Sequence, residues 1–575
     1  MIRLSRLLKP FALSVVAVLA LSFAQSLSEL YLPTLMSDIV DTGIVKGDTD
    51  YIIRIGEFML LVAAGGAICS VISAYLSAKI GSGFGRTLRN KVFSRVENFS
   101  LHDFDNMGTA TLITRTTNDI NQVQQVLIMI MRMMITAPMM AIGGVVMAVS
   151  KDAGLSLVMV VAVPVLIAAV TIIALKAVPL FSQLQAKLDG LNLVLRESLT
   201  GIRVSRAFNR TEYEKNRFDE ANRDLTDVAI KVNRIMAALM PVVMIVMNFT
   251  VVAIIWFGGI RINNGEMQVG SLMAFIQYVM LIMFSLIMVS FMFVMVPRAS
   301  ASAVRINEVL DIAPETDDPV QVKRPGDNSG LLEFRNVTFS YPGAEEPVIC
   351  DVSFTAKRGE ITAIIGGIGS GKSTLINLIP RFYDVDSGVI LVDGVDVREM
   401  PRDRLRAKIG LVPQKTVVFT GTIADNIRYG KQFASDQEVQ AASDTAQASE
   451  FVSTMKEGFD SLIAQGGVNV SGGQKQRISI ARALVRRPEI AIFDDSFSGI
   501  DFSTDARLRA ALKKEMVDST VIVVAQRIST VIDADQIIVL DCGEVVGIGK
   551  HKDLLKSSEI YREIVYSQFS EEEIA

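Results

Sequence analysis

The residues Gly366-Gly367-Ile368-Gly369-Ser370-Gly371-Lys372-Ser373-Thr374 fit G-x-x-x-x-G-K-[ST], the pattern of a phosphate-binding loop. Its chemistry needs these residue types. Glycines let backbone N–H groups turn in around phosphate oxygens, a following helix adds partial positive charge, and Lys372 supplies a full one. The Ser373 hydroxyl is placed to ligate Mg²⁺. EITAII (360–365) reads as a short buried strand before the loop, and STLINLI (373–379) as an apolar-faced helix after it. That strand–loop–helix order is the context the motif requires, so the stretch implies a nucleoside triphosphate held with Mg²⁺.

Two further stretches carry related chemistry. Ile490-Ala491-Ile492-Phe493-Asp494 is an apolar strand ending in a carboxylate, as needed to hold Mg²⁺ through water, and Asp495 follows where a base or water-positioning group would sit. Val470-Ser471-Gly472-Gly473-Gln474-Lys475-Gln476-Arg477 runs directly into the apparent helix ISIARALV, and a Ser-Gly-Gly turn at a helix start is a second anion-binding device.

The elements that must position these groups divide the chain in two. Of 575 residues half are hydrophobic, and the mean hydropathy of +0.39 points to membrane spans. Six apolar segments, 11–40, 52–80, 124–150, 155–180, 236–261 and 269–297, each reach the ~20 residues a spanning helix needs. The first follows the basic MIRLSRLLKP but is too long for a cleaved signal, so it reads as an uncleaved first span. Basic residues crowd the N-terminus and the two long intervals (Arg86, Arg89, Lys91, Arg95; Lys187, Arg196, Arg203, Arg206, Arg210), while the short loops hold only Lys46, Lys151 and Arg261. By the positive-inside rule both termini and both long intervals are cytoplasmic. Leu184, Leu188, Leu191, Leu195 and Leu199 recur at helical spacing, so the spans run on past the membrane and turn near Phe104–Gly108 and Ala207–Arg210.

Composition shifts at Pro314. Residues 1–313 read as the membrane domain, 314–330 as a Pro/Gly-rich linker, and 331–575 as an α/β ATPase domain with a mixed sheet, built from LEFRNVTF, VSFTA, ITAII, VILVDG, EIAIFDD, TVIVVA, QIIVLD and EVVGIG. The 57 Lys+Arg against 61 Asp+Glu leave a net charge of −4, which suggests no nucleic-acid partner. Cys69, Cys350 and Cys542 are far apart in sequence and form no disulfide or metal pattern; two fall in the phosphate-loop half, which suits a reducing compartment.

Together these motifs resemble the nucleotide-binding domain of ABC transporters, and the first half resembles the six-helix exporter fold of that family. The fold class expected is therefore a membrane all-α six-helix bundle plus a cytosolic α/β P-loop ATPase domain, a half-transporter. The resemblance makes Ser471 to Gln474 the family signature, Ser498-Gly499-Ile500-Asp501 the D-loop and Tyr341 the aromatic stacked on adenine. It makes Ser373, Gln414 (the Q-loop) and Asp494 the residues facing Mg²⁺, and ATP the nucleotide. FDNMGTATLITRTTNDI and GIRVSRAFNRTEYEKNRF resemble the two cytosolic coupling regions. Such domains work as head-to-tail pairs, each nucleotide lying between one P-loop and the partner's signature, so Ser471, Gly473 and Gln474 would act on the partner's site. ATP then closes the pair, the bundle switches from inward- to outward-facing, and hydrolysis resets it.

Two positions depart from that family. Asp495 stands where a glutamate usually polarises the attacking water, and Gln526, in VVAQRIST, stands where a histidine contacts the γ-phosphate. One methylene less withdraws the carboxylate by about 1.5 Å, and a ~1 Å misplacement can cost ~10²-fold in rate. Glutamine donates a hydrogen bond but has no ionisable ring. The two histidines, His102 and His551, are remote in sequence from that motif. With the signature intact, the chain resembles the degenerate member of heterodimeric bacterial multidrug exporters, whose partner half-transporter carries the glutamate and the histidine.

The expected setting is a bacterial plasma membrane and the expected cargo an apolar or amphipathic small molecule. Met129, Met131, Met133, Met134, Met139, Met140, Met280, Met283, Met288, Met292 and Met295 suit a cavity for varied apolar molecules, and equally suit contact with lipid or neighbouring helices. Glu29, counted from Phe11, falls near the outer edge of the first span, where it either selects cationic cargo or faces headgroups. A lipid or peptide exporter is the alternative of the same fold; the peptide case is weakened because no N-terminal peptidase extension is seen. A non-transporting ATP-sensing subunit is the alternative of another class.

Overall fold

A computed structural model of the chain describes residues 2–312 and 329–569. Residues 314–328 of the expected linker lie outside the described residues. The chain forms two units, residues 1–97 with 108–312, and 98–107 with 313–575.

The first unit is six apolar helices: Arg6–Ile44, Thr49–Val96, Thr109–Lys151, Leu157–Thr200, Thr211–Asn263 and Val269–Asp311. At 39 to 53 residues each they are ~60–80 Å long at about 1.5 Å per residue, about twice the ~30 Å of a bilayer's hydrocarbon. The helical extensions expected from the leucine spacing are thus present. The expected turns are more ordered than simple turns. A short helix, Leu101–Met107, stands between the second and third spans, and Ile202–Ala207 between the fourth and fifth. Both are followed by a residue of positive φ, Gly108 (φ 70°) and Asn209 (φ 52°), where the chain changes direction.

Spans one and two pack along their lengths, as do four and five, while span six packs on spans three and one. Tyr278, Phe275 and Met283 of span six are wholly buried in this core. A buried tyrosine needs a partner for its hydroxyl, and Tyr278 Oη meets Thr34 Oγ1 at 2.6 Å and donates to Leu30 O at 3.1 Å, both on span one. At one end, Asp41 sits in a π-helical stretch of span one, Ile39–Ile44, and accepts from Gly270 N (2.6 Å) and Ser271 N (3.0 Å). It thereby caps the start of span six, whose own cap residue Gln268 supplies no side-chain bond. Near the other end, Arg305 of span six grips the buried Asp119 of span three through two guanidinium nitrogens, and Ser302 Oγ donates to the same carboxylate at 2.9 Å.

Met131, Met140 and Met283 are buried in the bundle, Met134, Met288 and Met295 are exposed, and Met129, Met133, Met139, Met280 and Met292 are half-buried. Glu29 is half-buried and accepts from Gln25 Nε2 at 2.9 Å. Lys151, at the end of span three, reaches Ser37 Oγ (3.2 Å), eight residues, or about 12 Å, beyond Glu29 along span one. The helix continues to Ile44, past the point where hydropathy alone ends the span.

In the second unit the expected mixed sheet is present, and four of the strands form a separate antiparallel sheet. Strands Ile349–Ala356, Leu332–Phe339, Ser387–Val392 and Val395–Asp396 pair antiparallel in that order. The six-stranded sheet runs Glu544–Gly549, Gln536–Asp541, Ile361–Gly366, Thr520–Val524, Ile490–Asp494, Ile409–Val412, all parallel except at its first pair. Ile490–Asp494 and Thr520–Val524 are buried at every residue, which is why they read as unbroken apolar runs. The four-residue strand Ile409–Val412 was too short to stand out in the sequence. All three cysteines are free thiols.

Candidate nucleotide site

The parallel sheet brings the ends of Ile361–Gly366, Ile490–Asp494 and Thr520–Val524 side by side, so the residues that leave those strands share one edge. The P-loop leaves the first. Gly371, at φ +93°, starts the helix Lys372–Leu378, and a Cβ there would press on Val348 O at 3.0 Å. Only glycine takes that backbone freely. Lys372 Nζ donates to Gly366 O (2.9 Å) and Gly367 O (2.6 Å) and lies 3.3 Å from Ser370 Oγ. Burial pushes its ammonium down, and the charges of Asp494 and Asp495 counter this. Around Gly367 and Gly369 nothing lies within 4 Å of where a Cβ would stand. The loop therefore presents open backbone, with a lysine tethered beside it to backbone acceptors whose place a phosphate oxygen can take.

Asp494 ends the second strand, 8% exposed. Burial pushes its carboxyl up, and Ser373 Oγ, at 3.4 Å from Oδ1, pulls it back. A buried carboxylate facing a hydroxyl is the donor set a hard Mg²⁺ ion takes, and Ser373 and Asp494 would hold it; Gln414, also expected at the metal, is placed by its hydrogen bond to Asp495. Bound there, Mg²⁺ supplies positive charge for the phosphates.

Asp495 turns sharply out of the strand at φ 46°, its N–H bonded to Val524 O (2.9 Å). Burial raises its carboxyl above the usual range, against a hydrogen bond from Gln414 and the charges of Arg527 and Lys372. Gln526, leaving the third strand, donates from Nε2 to Asp495 Oδ2 at 3.1 Å. Gln414, Asp495 and Gln526 are thus brought together beside Lys372. Arg527 escaped the motif reading; it is exposed, and nothing local in sequence ties it to Asp495.

Tyr341 Oη meets Thr374 Oγ1 at 3.0 Å, and its ring stands edge-on to Phe339 and Tyr383. This fixes an aromatic beside the P-loop helix. Ser471, Gly473 and Gln474 stand elsewhere. Ser471 and Gln474 cap the helix Gly472–Leu484 reciprocally, Gln474 Oε1 accepting from Ser471 N (2.9 Å) and Ser471 Oγ from Gln474 N (3.3 Å). The backbone at Gly473 packs so closely on Gly499 O that a Cβ would sit 3.0 Å away, and a Cβ at Gly499 would strike Gln476 Oε1. The Ser471–Gln474 turn and the Ser498–Asp501 stretch are therefore one packed surface. Asp501 caps the next helix, Phe502–Glu515, and the Thr504 N–H holds its carboxyl down at about 2. Among the described residues no hydrogen bond joins the signature to the P-loop.

A six-helix membrane unit and a P-loop ATPase unit with its own signature helix define a class, the ATP-driven membrane transporter. Residues 15–286 match the ABC transporter transmembrane region and residues 349–498 the ABC transporter family. An uncharacterised ABC transporter ATP-binding protein of Mycobacterium tuberculosis is 44% identical over 98% of this chain and 97% of its own. An ATP-dependent lipid A-core flippase of Syntrophus aciditrophicus is 31% identical over 100% of this chain and 95% of its own. A solved bacterial Atm1-family ABC exporter with ATP bound is similar with a TM-score of 0.80 at 25% identity, covering 98% of this chain and 99% of that one. The chain belongs to the ABC transporter family: it is an exporter half-transporter, a multi-pass protein of the bacterial plasma membrane whose ATPase domain couples ATP hydrolysis to transport.

Proposed function

We propose that this chain is the degenerate-site half of a heterodimeric exporter that moves amphipathic or apolar compounds out of the cell. The observation that carries the reading is the pair Asp495 and Gln526. The shorter carboxylate is drawn back from the attacking position, and the amide of Gln526 occupies one of its oxygens. The chain's own P-loop then holds Mg-ATP through Lys372, Ser373 and Asp494, with Tyr341 on the adenine, and turns it over slowly. Fast hydrolysis belongs to the partner's P-loop, closed by Ser471, Gly473 and Gln474 of this chain. Both termini and the ATPase domain, residues 331–575, are cytoplasmic in this reading, joined to the membrane domain (1–313) by 314–330.

The test is purification with and without a second half-transporter that carries the glutamate and histidine. The chain alone should bind Mg-ATP yet hydrolyse it slowly, and the pair should hydrolyse fast. Rapid, transport-coupled turnover by a verified homodimer sinks the reading. A lipid cargo is the second reading, favoured by the likeness to a protein named as a lipid A-core flippase; lipid-linked and free dyes compared in vesicles with the same protein separate the two.

A further inference from the structure

The loop that carries Gln526 is held from an unexpected direction. It joins the strand Thr520–Val524 to the short helix Ile528–Val531. Ala525 is buried with its N–H on Ile364 O (3.2 Å), and Ile528 is buried in the core, whereas Gln526 and Arg527 between them are exposed. The N–H of Ile528 opens the helix and has no intrahelical partner, and its cap residue, Arg527, provides no side-chain bond. The partner comes from forty residues onward. Gln568 Oε1 accepts from Ile528 N at 2.9 Å, while Gln568 Nε2 donates to Gln526 O at 2.7 Å. One carboxamide thus brackets Arg527 as a neighbouring strand would, which needs a side chain that is donor and acceptor at once.

Gln568 is exposed, but the chain that carries it is anchored. Its N–H bonds Val565 O (3.0 Å), two residues past the end of the helix Glu559–Tyr566. Tyr561 and Val565 of that helix lie in the same core as Ile528 and Val531, Phe569 packs against it, and the Tyr561 hydroxyl meets His551 Nδ1 at 2.7 Å. Holding the backbone at Gln526 O fixes where the side chain of Gln526 points, and that side chain reaches Asp495.

We propose that Gln568 is a positioning residue for this chain's own nucleotide site: by clamping the backbone of Gln526 and Ile528 it aims the Gln526 amide at the γ-phosphate and at Asp495. The proposal rests on the reading of that site given above. Its consequence is selective for the triphosphate, because ADP lacks the phosphate Gln526 would meet.

The experiment measures Mg-ATP and Mg-ADP affinities of the full-length chain, purified by itself, for the wild type, Gln568→Glu, Gln568→Ala, Gln526→Ala and the double variant Gln526→Ala/Gln568→Glu. Glutamate at 568 still accepts from Ile528 N but cannot donate to Gln526 O, so it separates the tether from the helix cap. Gln568→Glu should weaken Mg-ATP roughly tenfold, as loss of a hydrogen bond to a charged group does, leave Mg-ADP and the melting temperature unchanged, and add nothing to Gln526→Ala. Gln568→Ala should match it for ATP while also lowering the melting temperature. A wild-type ATP-to-ADP ratio in Gln568→Glu, or equal weakening of both nucleotides, overturns the proposal. A wild-type chain that binds no Mg-ATP overturns the underlying site reading and is visible before any variant is made. Fast hydrolysis by a homodimer overturns the heterodimer alone, and in that case the same shift in the ratio still upholds the role of Gln568.

Discussion

Gln526 Nε2 hydrogen-bonds Asp495 Oδ2 at 3.1 Å, so the two residues on which the proposed function rests are bonded to each other. Thirty-one residues apart in sequence, they meet because their strands, Ile490–Asp494 and Thr520–Val524, run parallel and in register, Asp494 opposite Val524. The amide leaves the carboxylate fewer free lone pairs with which to orient water.

Restoring both positions should therefore restore hydrolysis. Asp495→Glu with Gln526→His is expected to raise ATP turnover of the chain purified alone by ~10²-fold, the scale of a ~1 Å repositioning, with either single change giving much less. Steady-state phosphate release checks this, and a double variant as slow as the wild type would mean that something other than these residues limits the site.

The signature and the second carboxylate should separate by function. Ser471→Ala with Gly473→Asp removes a helix cap and drives a side chain into Gly499 O, and it is expected to abolish most ATPase of the assembled pair. Asp495→Asn should reduce it far less while nucleotide occupancy persists. If Asp495→Asn were the more damaging change, the fast site would be this chain's own.

Acid should favour ATP at this site through Asp495. Burial holds its carboxyl above the usual range, so it is neutral up to a higher pH than an ordinary aspartate. Once ionised it faces the γ-phosphate with like charge. The wild-type affinity for Mg-ATP, divided by that of Asp495→Asn, should fall as pH rises through this raised value and level off above it. Titrations of both proteins across the acid range measure the ratio, and a constant ratio would contradict the geometry.

Glu29 carries the prediction for cargo. It lies within span one, about 12 Å along the helix from Ser37, which Lys151 reaches, bonded only to Gln25 among the described residues, and a carboxylate within a span is costly unless wet or paired. Glu29→Gln should lower export of cationic dyes and spare neutral ones in dye-loaded vesicles. Equal export of both kinds by variant and wild type would leave Glu29 as a passive interfacial residue.

What the sequence made legible was local. The P-loop, the strand-end Asp494 and the Ser471–Gln474 turn are each written in fewer than ten consecutive residues, and six spans follow from sustained hydropathy. What it hid depends on partners distant along the chain. The bond between Gln526 and Asp495, the charge of Arg527 on that carboxylate and the clamp from Gln568 have no periodicity to betray them. Setting the antiparallel strands Ile349–Ala356, Leu332–Phe339, Ser387–Val392 and Val395–Asp396 apart from the six-stranded mixed sheet needed knowledge of which strands pair.

The carboxylate of Asp41 has a consequence for how the bundle can open. It satisfies the first amides of span six from span one and itself accepts from Ser37 Oγ at 3.1 Å. Parting these two helices at that end strips the amides and the carboxylate of one another at the same moment. In hydrocarbon each such orphan costs several kcal/mol, whereas water replaces the lost bonds at little net change. Movement of span one away from span six is therefore inseparable from wetting: that end of the bundle opens only as fast, and only as far, as water follows it in.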